Sequence, residues 1–134
     1  ILVCEDSISD SNYGSQLGRG PTYIPRASKD VVEKAKEILD LKKYPYQIGR
    51  IFASDVFYDF DKNTWKNRRD AGIMGVEMES FALYINAEYL NKKALTLLTV
   101  TDHYVKEGQL SPEQRQTGLY KMMDVAFDLA ERYI

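Results

Sequence analysis

An apolar run, ALTLLTV at 94–100, ends abruptly in Thr101, Asp102 and His103, and a polar loop then leads to a helix start carrying Arg115. Two other short segments concentrate groups able to do chemistry. SDVFY at 54–58 sets Phe57 and Tyr58 behind Ser54 and Asp55, and GVEMES at 75–80 sets Glu77 and Glu79 on either side of Met78. Aromatic faces stack on flat heterocycles. A carboxylate accepts two hydrogen bonds at once and so grips neighbouring hydroxyls. A lone acid can pass a proton to a leaving group. Together these groups suit a ligand with a flat ring and a diol.

Each piece also has a plainer reading. Phe57 and Tyr58 read equally as core or surface aromatics. Glu77 and Glu79 stand at a helix N-terminus, where the helix dipole favours acids. Asp102 at a strand end caps a turn as readily as it protonates a ligand, and His103, the one histidine, suits packing or hydrogen bonding better than catalysis. With one cysteine and one histidine there is no second soft ligand for a metal site. Arg115 is the exception, because a cation in a first helical turn opposes the dipole. Something other than helix stability accounts for it.

The elements that must position these groups alternate. ILVC reads as a buried strand, followed by turn-rich sequence. Ser28 then caps a helix over 29–41 with Val32, Ala35, Ile38 and Leu39 on one face. YQIGRIFASD reads as a second strand and DFDKNTWKNRRDAG as polar sequence with short helical turns and a glycine stop. IMGV is a short strand leading into a helix with Phe81, Ala82, Ile85 and Leu90 inward. ALTLLTV, apolar on both faces, is expected to be a central strand covered by helices. Ser111, Pro112 and Gln114 form a helix start, and that helix is expected to run to the C-terminus with Leu119, Met122, Met123, Ala126, Phe127 and Ala130 inward. The pattern predicts an α/β fold, a layered α/β/α domain around a largely parallel (mixed) central sheet. Ligands of such sheets bind beyond the carboxyl ends of the strands, so the three motifs are expected to share one cleft.

The totals agree with a globular protein. The 134 residues allow one domain with a core, and a net charge of −2 leaves no electrostatic footprint for nucleic acid. No apolar run approaches the roughly 20 residues that cross a bilayer. The start, ILVCEDSISD, lacks the marks of a signal peptide, and Cys4 reads as a small core residue. A cytoplasmic protein is expected. The chain opens on a strand without an initiator methionine, as a domain does when cut through its middle.

The motifs SDVFY at 54–58, GVEMES at 75–80 and TVTDH followed by EQRQT between 99 and 117 resemble those of the nucleoside phosphorylases, and specifically the bacterial-type purine nucleoside phosphorylases that assemble as hexamers. DSNYG at 10–14 fits more weakly. The resemblance runs from near residue 3 to the C-terminus. It implies a glycosyltransferase of purine salvage that cleaves purine (deoxy)ribonucleosides with phosphate as nucleophile and co-substrate, and without a cofactor. It implies Asp102 as the acid that protonates N7 and Arg115 as its closing partner. Phe57 would lie against the base and Glu79 would bind the ribose hydroxyls. Met78 would line the sugar, with Val76 and Glu77 forming the adjacent wall, and Thr101 would support Asp102. A guanidinium beside a carboxylate favours its ionised form, so Arg115 is expected to stay away until the proton leaves, swinging on the KEGQL loop.

The departure from the pattern is length. Family members are nearly twice as long, and the half that binds phosphate has no counterpart in residues 1–134; Arg19, Arg26 and Arg50 match no phosphate motif. The chain is therefore expected to be a single partial domain, 1–134, the C-terminal half of such a fold. It should have exposed sheet edges and little phosphorolysis of its own. Two rival readings remain at this point: a hydrolytic methylthioadenosine or adenosylhomocysteine nucleosidase, and a non-catalytic nucleoside-binding domain.

Overall fold

The computed structural model describes residues 1–105, 110–117 and 119–134, with the backbone alone at 116 and 117. Strands β1 (Leu2–Ser9), β2 (Gln47–Ala53), β3 (Ile73–Glu77) and β4 (Thr96–Leu98) form one sheet in the order β3-β2-β1-β4. β1 pairs parallel with β2, β2 parallel with β3, and β4 antiparallel with β1. Helices α1 (Tyr13–Gln16), α2 (Lys29–Lys42), α3 (Thr64–Asp70), α4 (Ser80–Tyr89), α5 (Pro112–Thr117) and α6 (Tyr120–Glu131) fill the connections. This is the mixed α/β architecture that the alternation of elements predicts. No helix among the described residues is long and apolar enough to cross a membrane.

Two clusters explain the layers. The apolar stripe of α2, ending where Lys43 turns left-handed at φ 54°, packs with Val125 and Leu129 of α6 on Val3 and Ile48. On the opposite side of β2, Ile51 packs with Leu2 and Cys4, and Met74 of β3 and Leu98 of β4 close on the same residues. All four strands thus line one concave face, and the sheet curls. Phe81 and Ile85 seat α4 against Ala53. Gly72, at φ +77°, makes the turn from α3 into β3 that a side chain would strain.

The expected central strand is instead an edge strand among the described residues, three residues long and antiparallel. An apolar run on both faces does not require two strand neighbours. Leu97 packs toward α2 and α6 while Leu98 packs into the concave face, so both faces are used with one edge paired. The C-terminal helix also differs from expectation. It divides into α5 and α6, and α6 buries Val125 and Leu129 while Met123, Phe127 and Ala130 face outward. Both residue sets recur at helical spacing, and packing on α2 selects between them. In α4 Tyr84 is buried, and Leu90, just past its end, is exposed.

Tyr84 fastens the edge strand. Its hydroxyl donates to the carbonyl of Cys4 and accepts the Thr96 N–H at 3.0 Å. Cys4–Thr96 is the last pair of the β1/β4 ladder, and the irregularity between Cys4 and Asp6 begins there. Burial pushes the Tyr84 phenol up to about 12 and the Cys4 thiol, with a further push from Glu77, up to about 12. The neutral phenol is thus favoured in the folded chain. Its contribution to stability is complete below the ordinary value of 10.0 and is lost as pH rises from there toward about 12. Tyr84→Phe removes both bonds made by this buried hydroxyl and is expected to destabilise the fold by about 2 kcal/mol in urea unfolding. A change under about 0.5 kcal/mol would show that the hydroxyl does not hold β4.

Candidate active site

The direction of β4 decides where the acid goes. Leu98 pairs with Leu2, whereas Ala53 pairs with both Ser9 and Glu77. Thr101 and Asp102 therefore leave the sheet past the start of β1, at the end opposite to the one where Ser54 and Met78 emerge. The expected sharing of one cleft by three carboxyl strand ends is corrected: only β2 and β3 of those strands end together. The acid segment instead meets the loop side through a ring contact. Tyr104 stacks on Trp65, with centroids 6.0 Å apart and planes 5° from parallel. Trp65 lies on α3, the helix that follows the Phe57 loop.

Around Asp102 the arrangement is compact. Thr101 Oγ1 donates to Asp102 Oδ2 at 3.0 Å, and Arg115 Nη2 donates to Oδ1 at 2.7 Å. Arg115 Nε also reaches the Leu110 carbonyl at 3.1 Å, and the Leu110 N–H reaches the Thr101 carbonyl at 3.1 Å. Reciprocal bonds between Ser111 and Gln114, at 2.9 and 3.1 Å, form the expected capping box and fix the start of α5. Arg115 was expected to stand off from the acid without substrate, and here it is paired. Residues 106–109, most of the expected hinge, lie outside the described residues. His103 Nδ1 accepts the Val105 N–H at 3.0 Å.

The other motifs separate into scaffold and free groups. The Glu77 carboxylate accepts the Glu79 and Ser80 N–H groups at 2.9 and 2.8 Å and also the Ser80 hydroxyl. It is the cap of α4, and half-buried Val76 precedes it. Glu79 is exposed, with one oxygen on the Met78 N–H at 3.2 Å, and Met78 is exposed beside it. Phe57 is 78% and Tyr58 86% exposed, so neither is a core ring; they pack edge to face at 4.9 Å. Their loop is held at both ends. Asp10 accepts the Asp55 N–H at 2.8 Å, and buried Arg68 grips Asp59 at 2.8 and 3.1 Å while lying 4.2 Å over Phe52. Trp65, Tyr104, Arg68 and Asp59 escaped the sequence reading. The available signal was the one tryptophan, a large ring in polar surroundings that needs a partner.

The family model of the phosphorylase superfamily matches residues 2–134. The chain belongs to the phosphorylase superfamily. Among curated relatives, DeoD-type purine nucleoside phosphorylases of Clostridium beijerinckii and Alkaliphilus metalliredigens are 38% and 35% identical over 128 and 131 residues. Those alignments cover 96% and 98% of this chain but 54% and 56% of the relatives. A third, from a Geobacillus strain, is 33% identical over 132 residues. The chain spans about half the length of the curated relatives it matches.

Within this superfamily member, two of the arginines that matched no phosphate motif have internal partners. Arg50 makes a bidentate pair with buried Asp6 at 2.6 and 2.9 Å, and Arg19 pairs with Glu88 at 3.5 Å. Two cavities, of about 430 and 390 Å³, lie between α2, β4 and α6 and beside α1; the second includes Ser11 and Gly14 of the DSNYG stretch, and neither is lined by residues of the other three motifs. Phe57, Tyr58, Met78 and Glu79 instead stand exposed. The division between Glu77 and Glu79 is testable. Glu77→Ala should destabilise the protein by about 2 kcal/mol, the upper range for loss of a helix cap, and Glu79→Ala by less than about 0.5 kcal/mol. Equal losses in thermal unfolding would contradict it.

Proposed function

We propose that the protein is a purine nucleoside phosphorylase, converting purine (deoxy)ribonucleosides and phosphate to free base and (deoxy)ribose 1-phosphate. The observation that carries this reading is the Asp102 carboxylate bracketed by a hydroxyl and a guanidinium, in a chain whose relatives bear that name. A purine departs as an anion unless its ring is protonated, so the reaction calls for an acid at N7. In the proposed sequence Asp102 gives its proton to N7 as the C1′–N9 bond breaks and its electrons pass into the ring. A phosphate oxygen takes C1′. Arg115 then pairs with the carboxylate left behind, and the 2.7 Å contact supports this second half of the step.

Phe57 stacks on the base, and the exposure of its ring supports that role. Glu79 accepts the sugar hydroxyls, Met78 lines the sugar, and Val76 and Glu77 serve as the wall that presents them. Thr101 orients Asp102. Phosphate is held by groups outside residues 1–134, so this chain contributes the base and sugar side of the site. A cytoplasmic homohexamer, a trimer of dimers, is part of the same proposal, as is a role in purine salvage without a cofactor.

The test is release of hypoxanthine from inosine by the protein expressed from its complete reading frame, with and without phosphate. Release should require phosphate. Asp102→Asn should lower kcat by at least about 100-fold and Arg115→Ala by about tenfold or more. Phosphate-independent release would replace the reading with hydrolysis, and a wild-type rate in Arg115→Ala would remove the closing role of the arginine.

A further inference from the structure

We propose that Trp65 and Tyr104 form a strut that sets the Asp102 segment against the Phe57 loop, which makes both of them positioning residues. The inference rests on the phosphorylase reading above and deepens it. The antiparallel β4 sends the acid off one end of β1 while Phe57, Met78 and Glu79 emerge at the other. Sheet pairing alone therefore keeps the acid and the base-binding ring apart. Among the described residues, the stack of Tyr104 on Trp65 is the ring contact that joins the two segments.

The strut has a fixed footing at each end. α3 is locked to the Phe57 loop because Arg68, 9% exposed, pairs with Asp59 and lies over Phe52. Lys66 and Arg69 sit 5.7 and 5.4 Å from the Trp65 ring, and cations over an indole restrict where it rests. At the other end, Tyr104 is two residues from Asp102, whose backbone is tied to Leu110 through Thr101. A shift of the Tyr104 ring passes through two peptide units to the carboxylate. Proton transfer tolerates little of that, since misplacement by about 1 Å can cost about 100-fold in rate.

The experiment compares Trp65→Ala, Tyr104→Ala, Tyr104→Phe and the double alanine variant of the protein expressed from its complete reading frame, with Asp102→Asn as reference. Each alanine variant should lose about tenfold in kcat with KM changed less than about twofold. The double variant should be no slower than either single, and Tyr104→Phe, which keeps the ring, should hold the wild-type rate. Emission from Trp65, the one tryptophan, should become more quenchable by acrylamide in Tyr104→Ala and not in Tyr104→Phe. Wild-type kcat in Tyr104→Ala, or a multiplicative loss of about 100-fold in the double variant, would overturn the strut. Should Trp65→Ala fail to fold, the contrast between Tyr104→Ala and Tyr104→Phe decides. If the wild type shows no phosphate-dependent release, the phosphorylase reading fails; if Asp102→Asn keeps full activity, only the acid role fails; in either case the quenching contrast still confirms or overturns the stack.

Discussion

The antiparallel join between β1 and β4, filled by the Tyr84 hydroxyl, is the constraint on which the rest depends. β1 pairs along its length with β2, and over its first residues with β4 on the other side. Where the second ladder stops, the buried phenol bridges its last pair, donating to the Cys4 carbonyl and accepting the Thr96 N–H. That arrangement fixes where the chain leaves β4, hence which end of the sheet receives Asp102. Met74 of β3 and Leu98 of β4 both pack on Leu2, Cys4 and Ile51, so the outer strands share one apolar cluster.

The proposed mechanism needs the Asp102–Arg115 pair to open and close. Both side chains are nearly half exposed, 45% and 44%, and an exposed ion pair is worth little. A pair at this depth can open and close at small cost. The same contact buried would cost several kcal/mol to break. The contrast with Asp6 and Arg50 is instructive: there the carboxylate is 6% exposed and doubly bonded, and the pair serves as structure. Accessibility, more than distance, separates the two uses of the same chemistry.

Much of this was legible in the sequence. The α2 stripe, the Ser111–Gln114 capping box and the alternation of strands and helices rest on local rules, and local rules survive folding. The plainer reading of Glu77 as a helix cap also describes what that carboxylate does. The direction of β4 was not legible, because an apolar run looks the same in either direction and at an edge or a centre. The phase of α6 was hidden for a related reason: Met122, Val125, Ala126 and Leu129 compete with Met123, Phe127 and Ala130 as apolar faces. Tyr84 and the Trp65–Tyr104 stack act across 80 and about 40 residues of chain, a separation at which spacing carries no signal.

The account comes down to whether the acid and the aromatic loop serve one ligand although they leave the sheet at opposite ends. A crystal structure of the protein expressed from its complete reading frame, with a bound purine nucleoside, measures this directly. The prediction is an Asp102 oxygen at hydrogen-bond distance, about 3 Å, from N7, with the Phe57 ring on the base and Glu79 on the sugar hydroxyls. A nucleoside held by Phe57 and Glu79 with Asp102 still on Arg115 and out of reach of the base would contradict it.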